Sequence, residues 1–551
     1  MKPFSGDTRR SALKRMAGDP LDILVVGGGI TGAGVARDAA LRGMRVGLVE
    51  KGDFGCGTSS RSSKIIHGGV RYLEYLQLGL VRESARERQI LCGLAPHLVH
   101  RIPFLYPVFE GESLLKIRAG LKLFDLLAGS STEDGSRRLG PRETRGLLPG
   151  LRDRLKGSVL YPEFITDDSR FTLANVRSAA EHGACVANYA RVESLLTYGG
   201  RVRGALVRDL EGNTDFEVRA AVTVNAAGPW AGEVLTESNL PLPRRLIPSK
   251  GIHILFPRSR LPLQAATFLR SSTGRRGLAI PRGPWVYVGT SDTAYQGDLD
   301  AVRPEQSEIA ELIGMMRDCF PEAELSMRDV QRSWAGVRPL VFEAGKTTRE
   351  MSRHDRVWIS PAGLVTAAGG KLTTYRPMAR RILRAVAEAR GEALPGEETT
   401  HRAPLVGAPG GDIEECRIRT RTALSRFRVS EPTLRRIEFL YGSEADILLQ
   451  YGSESADWMA PLGDGTRALR GEVRLAIEYG MAIRLPDIMD RRMAQLLFAE
   501  VGGMHGTPEA AEIAGDLLGW SRSRKEQEIA QYTSLVSEHC GSHVDTDLAP
   551  R

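Results

Sequence analysis

The chain has 551 residues, of which 42% are hydrophobic and 26% are charged. This composition is typical of a globular protein, and the length is too great for a single hydrophobic core, so we expect two or three domains. The net charge of +8 is mild, and no compact Lys/Arg cluster with interleaved aromatic residues occurs, which argues against a nucleic-acid partner. No run of about 18 apolar residues occurs, so no membrane-spanning helix is predicted.

Residues 1–20 are polar and basic, and we expect them to form a flexible tail. They lack the apolar core of a signal peptide, and Asp7 and Asp19 argue against a basic organelle presequence without excluding it. The six cysteines lie far apart with no CxxC pair, which argues against a zinc site or an iron–sulfur cluster. No metal is therefore expected, and reduced thiols in the cytoplasm are the simplest interpretation.

An apolar strand that begins at Asp22 leads into three spaced glycines and then a predicted helix. Gly27 permits a sharp turn, Gly29 lets the backbone approach a diphosphate, and Gly32 lets the helix pack closely on the strand. The helix N-terminus attracts phosphate. A second apolar strand ends at Glu50, where a carboxylate would accept a hydrogen bond from a ribose hydroxyl. This order predicts a dinucleotide site; the alternative is a glycine-rich turn in another kind of α/β protein.

Three later segments favour a flavin over a nicotinamide. A loop rich in hydroxyl groups follows the second strand, and a turn of small residues at 225–229 leaves room for a cofactor beside the backbone. Gly370 and Lys371 precede a predicted helix, whose N-terminus and lysine would stabilise the negative charge of a reduced flavin. Each segment alone could be an ordinary tight turn. The candidate cofactor-binding residues are Gly27, Gly29, Gly32, Glu50, Thr58, Ser59, Ser60, Ser63, His67, Gly228, Gly370, Lys371 and Leu372.

The pattern of strands and helices predicts an α/β fold with a discontinuous, doubly wound, Rossmann-like domain. A substrate cap of the α+β class with its own mixed sheet would be inserted into it, and a helical domain would follow a linker rich in Gly, Pro and Glu. The predicted segments are 21–85, 160–230 and 335–390 for the cofactor domain, 86–159 and 231–334 for the cap, 391–411 for the linker, 412–535 for the helical domain and 536–551 for a tail.

Four segments resemble the quinone-linked, FAD-dependent glycerol-3-phosphate dehydrogenases. The resemblance covers residues 20–390, is looser in the C-terminal region, and fails at residues 500–520. It implies FAD as cofactor and the oxidation of sn-glycerol 3-phosphate to dihydroxyacetone phosphate. The matching segments are residues 25–34, 58–74, 333–340 and 369–376.

A phosphomonoester is close to dianionic at neutral pH and needs several cations that converge on it. Arg71, Arg338 and Lys371 lie inside the matching segments and are the candidates, and Tyr72 could add a hydroxyl contact. Arg338 is also a candidate catalytic residue. Two alternatives stay open: Arg338 could be an ion-paired loop residue, and Lys371 could act on the flavin alone.

The alcohol must lose a proton as its hydrogen leaves as hydride. His253 is the first candidate to accept that proton, because an imidazole titrates near neutral pH. His67 is the second candidate, although its place beside the hydroxyl-rich loop favours contact with FAD. His253 could instead be a core histidine.

Residues Ser113–Ala128 are predicted to form a helix whose apolar face includes Leu121 and Phe124, with basic residues elsewhere on the helix. Such a helix can lie in the headgroup region of a membrane, and the resemblance adds a quinone as electron acceptor and a peripheral position on the inner face. The alternative is an ordinary helix packed on the core. Other functions stay open: an oxidase that uses oxygen, a non-catalytic flavin-binding protein at the membrane, and a nicotinamide dehydrogenase. Covalent attachment of FAD and a homo-oligomer are also left open.

Overall fold

The computed structural model describes residues 2–69, 78–128, 135–241, 245–272, 274–342 and 355–541. The strands are β1 (Leu21–Val26), β2 (Val46–Val49), β3 (Ile65–Ile66), β4 (His100–Phe109), β5 (Arg137–Leu139), β6 (Leu155–Ile165), β7 (Cys185–Ala187), β8 (Ala190–Tyr198), β9 (Arg201–Asp209), β10 (Thr214–Asn225), β11 (Leu246–Pro257), β12 (Ala266–Arg270), β13 (Arg276–Arg282), β14 (Trp285–Gly289), β15 (Thr293–Ala294), β16 (Arg332–Val341), β17 (Arg356–Ile359) and β18 (Val365–Ala368). The α-helices are α1 (Gly6–Gly18), α2 (Ile30–Leu41), α3 (Leu78–Leu94), α4 (Leu114–Ala128), α5 (Pro141–Leu147), α6 (Asp168–Glu181), α7 (Ala231–Glu237), α8 (Gln306–Cys319), α9 (Tyr375–Arg390), α10 (Ile413–Leu424), α11 (Glu431–Leu440), α12 (Ala445–Glu454), α13 (Arg470–Gly480), α14 (Gln495–Phe498), α15 (Thr507–Leu518) and α16 (Arg522–His539).

The first sheet has parallel strands in the order β18-β10-β1-β2-β7, with β17 antiparallel at one edge. Helices α2, α6 and α9 cover one face through side chains such as Val35, Val176 and Ile382. The other face is covered by α1 and by an antiparallel layer of β8, β9 and the first half of β10, whose second half belongs to the first sheet. Because both faces are covered, β1 is apolar almost throughout. The predicted doubly wound, Rossmann-like fold is confirmed.

The N-terminal segment departs from the sequence prediction. Residues 6–18 form α1, and Leu13 and Met16 pack under the first sheet. Arg9 donates a hydrogen bond to the Asn188 carbonyl (2.9 Å) and forms an ion pair with Asp209 (2.6 Å). The prediction of a flexible tail is therefore wrong for these residues. The segment is polar and basic on average, and that average does not reveal that its few apolar side chains share one face of a helix.

The second sheet runs in the order β15-β11-β14-β13-β12-β4-β6-β3, with β16 on β11 and β5 on β6. The β12–β4 pair is parallel and the other pairs are antiparallel, as expected for a mixed sheet. Helix α8 covers one face through Leu312 and Met316. The other face carries Tyr161, Leu255 and Trp334 and is continuous with the core of the C-terminal helices.

Strands β6 and β16 belong to the second sheet. The predicted cofactor segments 160–230 and 335–390 therefore begin inside strands of the other sheet, and the first sheet resumes only at β7 and at β17. Strand β16 is buried almost throughout, like the strands of the first sheet, whereas β6 alternates between buried and partly exposed residues. Neither pattern names the sheet that the strand joins, because strand partners are not recorded in the burial of a single strand.

Helix α4 packs on the second sheet with the face that was predicted to meet a membrane. Leu121 and Phe124 are buried, Leu121 in the cluster that contains Tyr161, and Arg88 lies over the Phe124 ring at 5.2 Å. The prediction that Leu121 and Phe124 contact a membrane is therefore wrong. Within the part of the chain that the structure describes, no helix is long and apolar enough to cross a membrane.

The C-terminal region is helical, as predicted, and α16 continues to His539, beyond the expected end at 535. Buried ion pairs join this region to the first sheet: Asp53 accepts hydrogen bonds from Arg491 (2.5 Å) and from Arg492 (2.5 and 2.8 Å). These arginines hold the pKa of Asp53 well below its usual value even though burial raises it. The two regions are therefore held together by charges that are fully removed from water.

Candidate active site

A cavity of about 1580 Å³ lies between the two sheets. The carboxyl ends of β1, β2, β10 and β18 open into it, as ligand sites do in parallel sheets. The second sheet forms the opposite wall, and its contributions come from β3, β4, β6, β11, β12, β13, β14 and β16. One cavity is thus shared by the nucleotide-binding edge of one sheet and the face of another.

The glycine run after β1 is shaped by close approaches of the backbone. Gly27 has φ +108°, and a Cβ there would lie 2.7 Å from the Ala226 carbonyl oxygen. A Cβ on Gly32 would lie 1.9 Å from the Gly27 oxygen, so the helix could not pack so closely. Gly29 is the N-cap residue of α2, and the nearest atom to a Cβ there would be Ser59 Oγ at 3.2 Å. Gly29 therefore places backbone without a side chain in the cavity wall at a helix N-terminus, where phosphate binds.

Glu50 is held in place at the end of β2. Its carboxylate accepts hydrogen bonds from the backbone nitrogens of Gly28 (2.6 Å) and Gly52 (2.9 Å). Burial raises its pKa, although both hydrogen bonds act against that rise. The carboxylate lines the cavity, where a ribose would need an acceptor.

The hydroxyl-rich loop forms a 3-10 turn at Thr58–Ser60. Ser59 Oγ accepts a hydrogen bond from the Ile30 nitrogen (2.9 Å), and Thr58 Oγ1 donates to the Val337 carbonyl (2.6 Å), which ties the loop to the start of α2 and to β16. Ser60 is buried, and its hydroxyl donates within its own turn (3.3 Å to the Cys56 oxygen). The prediction that Ser60 contacts the cofactor is therefore not supported, because its side chain does not line the cavity and instead forms its hydrogen bond within the loop.

Two further turns line the same cavity. Gly228 has φ +57° and begins a 3-10 turn that ends at Trp230. Gly370 has φ +90°, and Lys371 and Leu372 follow it at the start of the turn that leads into α9. Lys51 lies over the Trp230 ring at 4.7 Å. These turns are brought together with the glycine run although they lie far apart in the sequence.

His253 lies on β11 and stacks on Trp334 with ring centroids 4.8 Å apart. A hydrogen bond of 2.8 Å joins its Nε2 to Ser63 Oγ, and its Nδ1 is buried with no hydrogen-bond partner among the residues that the structure describes. Burial, followed by the charges of Arg338 and Lys64, lowers the pKa of His253 to about 3. The imidazole is therefore neutral at neutral pH, and the residue lines the cavity.

Arg338 lies on β16, which pairs with β11. Its guanidinium donates to Thr290 Oγ1 (2.8 Å) and to the Ser291 carbonyl (3.4 Å), and lies 4.0 Å from the Asp292 carboxylate. A Cβ on Gly251 would lie 2.3 Å from this guanidinium, so the glycine makes room for it. The planar guanidinium with its N–H donors therefore lies in the same cavity wall as His253.

Most of the predicted site residues thus line one cavity; Ser60 and Gly32 do not, Gly32 because its role is helix packing. His67 lies in the wall just after β3. Arg71 and Tyr72 lie outside the described residues, so their contacts with substrate stay predictions.

Sequence reasoning missed several residues of the wall. Thr290 orients Arg338, and Tyr161 and Glu163 on β6 face the same cavity. The end of α16 reaches the rim, where Arg61 Nη1 and His539 Nε2 are 3.1 Å apart. These residues carry no local signal, because each meets its partners through strand pairing or through contacts across the chain.

Comparison with known families agrees with this geometry. Residues 22–376 match the model of the FAD dependent oxidoreductase family. Residues 398–525 match the C-terminal domain of alpha-glycerophosphate oxidase. The fold and site thus define an FAD-dependent oxidoreductase, and its cofactor is FAD.

Individual relatives narrow this class. The aerobic glycerol-3-phosphate dehydrogenases of Staphylococcus epidermidis and of Bacillus subtilis are both 35% identical to the chain, over 95% and 97% of its length and 96% and 98% of theirs. The structure of the glycerol-3-phosphate dehydrogenase from Bacillus halodurans complexed with FAD matches with a TM-score of 0.80 and 31% identity, over 97% of this chain and 98% of that one. The chain therefore belongs to the family of FAD-dependent aerobic glycerol-3-phosphate dehydrogenases.

Proposed function

We propose that this protein oxidises sn-glycerol 3-phosphate to dihydroxyacetone phosphate with reduction of FAD, and that it passes the electrons to a membrane quinone. The observation that carries the first part is the shared cavity, in which His253 and Arg338 face the dinucleotide edge of the first sheet. The residues of that edge fit FAD, because Gly29 lines the cavity at a helix N-terminus with no side chain in the way and Glu50 supplies a fixed carboxylate.

In the proposed reaction, Arg338 holds the phosphate end of the substrate through charge-assisted hydrogen bonds. The neighbouring Thr290 hydroxyl keeps the guanidinium in place. Lys371 adds positive charge from the opposite wall. When bound, FAD supplies the acceptor for the hydride that leaves C2.

His253 takes the proton of the C2 hydroxyl. Its pKa is low partly because Arg338 is positive, and a bound phosphate dianion offsets that charge. Substrate binding therefore raises the affinity of the imidazole for a proton at the step that needs it. Stacking on Trp334 and the hydrogen bond to Ser63 keep the ring fixed meanwhile.

The anaerobic absorption spectrum of the purified protein tests this function. We expect a yellow protein whose band near 450 nm, roughly where oxidised flavins absorb, is bleached by sn-glycerol 3-phosphate and not by glycerol. A yellow protein that the phosphate ester does not bleach contradicts the proposal and favours a non-catalytic flavoprotein. A colourless protein favours a nicotinamide enzyme. Stoichiometric peroxide after admission of air would select the oxidase.

The membrane part of the proposal is supported by the outer face of α4, opposite to the predicted one. Leu115, Leu123 and Leu126 are 76%, 41% and 77% exposed. At 100° per residue they fall within one quarter of the helix circumference. The basic residues flanking this exposed apolar stripe are Lys116, Arg118 and Lys122. An apolar stripe with cations on its borders fits the surface of an anionic bilayer.

Replacing both Leu115 and Leu126 with serine is expected to weaken binding to vesicles of phosphatidylcholine and phosphatidylglycerol about 30-fold. Each leucine would contribute roughly 1 kcal/mol when it is partly buried in the interface. Cosedimentation measures the binding. The matched control is Ile418→Ser, since Ile418 is 65% exposed on α10, away from α4. Equal binding of the double variant and the control would rule out this stripe as the membrane contact.

A further inference from the structure

The cavity is open to solvent at the hairpin of β12 and β13, where two arginines line it. Arg270 ends β12 and Arg276 begins β13; both are exposed, and they are directly opposite each other in the strand register. Directly opposed residues, and residues two positions apart on a strand, point to the same face of a sheet. Both side chains therefore share the face of Phe268, whose ring lies 5.3 Å from that of Tyr106 in the cavity wall. We call Arg270 and Arg276 the arginine pair.

The arginine pair places like charges side by side. Directly opposed like charges destabilise a hairpin. Glu112 offsets part of this repulsion, because its carboxylate lies 2.9 Å from Arg270 Nη1 and is itself held by the Phe109 nitrogen (2.9 Å). Two arginines and one glutamate still leave a net positive charge, which a dianion between the guanidinium groups would offset. This part of the cavity wall therefore favours an anion.

Exposed residues also line the cavity beside the nucleotide edge of the first sheet. Helix α7 carries Glu233 and Glu237 there, and Lys51 forms an ion pair with Asp300 (2.8 Å). The same part of the wall includes Glu50, the carboxylate that fits the ribose of FAD. A dinucleotide bound at this edge fills that opening, so a small substrate needs another way in. The arginine pair lies in the wall of the second sheet, away from this edge.

The strand order places His253 between the arginine pair and Arg338. From the hairpin the second sheet runs β12-β13-β14-β11-β16, with Arg276 on β13, His253 on β11 and Arg338 on β16. Leu278 and His253 are each directly opposite Gly289 of β14, so all three lie on one face. A Cβ on Gly289 would lie 2.1 Å from His253 Cδ2, so the glycine leaves this stretch of the wall without a side chain.

The distances along this wall suit a small molecule. Arg276 and Leu278 are two residues apart, roughly 7 Å along β13, and β13 and β11 are two strand spacings apart, roughly 10 Å. The backbone at Arg276 therefore lies roughly 12 Å from that at His253. A substrate that enters with its phosphate in front passes His253 before the phosphate reaches Arg338. The C2 carbon, which trails the phosphate, then stays beside the imidazole.

We propose that the arginine pair forms the entrance through which a small phosphate dianion reaches His253 and Arg338 when FAD is in place. The proposal rests on the function proposed above and adds the route of the substrate and the residues that select its charge. The pair attracts the dianion from solvent, whereas Arg338 holds it once it is bound. The rate constants of association and dissociation should therefore depend on the pair, and the equilibrium constant much less.

The double variant Arg270→Gln, Arg276→Gln tests the proposal. Rapid mixing of oxidised holoenzyme with dihydroxyacetone phosphate, followed through the flavin absorbance, gives both rate constants without turnover. We expect association to slow about fivefold at roughly 10 mM ionic strength and less than about twofold at roughly 0.5 M, where the charges are screened. Dissociation should slow by a similar factor, so the affinity should change little. Arg338→Ala should instead speed dissociation and weaken binding.

The matched control is the double variant Arg201→Gln, Arg203→Gln. Both arginines are exposed on β9 and do not line the cavity, and the variant removes the same charge. It should leave both rate constants unchanged. Association in the Arg270→Gln, Arg276→Gln variant as fast as in this control would overturn the inference. Weaker binding to anionic vesicles with unchanged association would also overturn it and would assign the arginines to lipid headgroups.

A second measurement does not depend on the substrate. Iodide, an anion, and acrylamide, which is neutral, quench the fluorescence of a flavin that they can reach. The ratio of the iodide to the acrylamide quenching constant should fall about twofold when the arginine pair is replaced and should not change in the control. An unchanged ratio would overturn the inference. Failure of sn-glycerol 3-phosphate to bleach the unmodified enzyme would instead overturn the proposed function, and the quenching ratio would still test the entrance.

Discussion

The Arg338→Ala variant is expected to keep its FAD and to lose about three orders of magnitude in kcat/KM for sn-glycerol 3-phosphate. The guanidinium offers at least two donors to a dianion, and hydrogen bonds to charged groups contribute roughly 1.5–3 kcal/mol each. FAD binding should survive because the side chain bonds to Thr290 and Ser291, which follow β14 in the wall opposite the glycine run. Steady-state kinetics and the absorption spectrum measure both properties.

The Arg338→Lys variant distinguishes the effect of the positive charge at this position from the effect of the planar guanidinium. The lysine keeps a positive charge but loses the planar fork, so partial recovery is expected. Arg419→Ala is the control for loss of an arginine, because Arg419 is mostly exposed in the C-terminal region. Wild-type kinetics in Arg338→Ala would remove this residue from the site, and loss of the yellow colour would reassign it to the cofactor or to folding.

The His253→Gln variant is expected to reduce its flavin about 10²- to 10⁴-fold more slowly, which is the usual contribution of a general base. Substrate binding should change little, because the phosphate is held by Arg338. Rapid-mixing absorbance under anaerobic conditions measures the reduction step. Ser63→Ala should have a smaller effect, since it removes one hydrogen bond that orients the ring.

The pH dependence of the same step has a definite sign. Because burial and Arg338 hold the pKa of His253 at about 3, the imidazole is neutral above about pH 5 in the free enzyme. The second-order rate constant of reduction at low substrate concentration, which reports the free enzyme, should therefore not fall between pH 8 and pH 5 on account of this residue. His505→Asn serves as control, as His505 is exposed. A rate constant that falls with a pKa of 6–7 in both the unmodified enzyme and His505→Asn would contradict the buried, neutral state.

Helix α4 (residues 114–128) shows what the spacing of apolar residues can and cannot predict. Its apolar residues predict an amphipathic helix, and a helix forms. Leucines occur on both sides of it, however, so the pattern does not say which side is covered. Packing against β6 and α3 buries Leu121 and Phe124 and leaves Leu115 and Leu126 exposed.

Sequence alone determined the cofactor edge, because its requirements are local: Gly27, Gly29 and Gly32 lie within one turn between a strand and a helix, and Glu50 follows on the next strand. Tertiary structure alone decided the opposite wall. Arg338 and His253 meet through pairing of β16 with β11, and Tyr161 and Glu163 face the cavity because β6 joins the second sheet. Ion pairs such as Asp53 with Arg492 join residues far apart in the chain. A short segment of sequence does not predict these contacts, because strand order and domain packing depend on the free energy of the whole core.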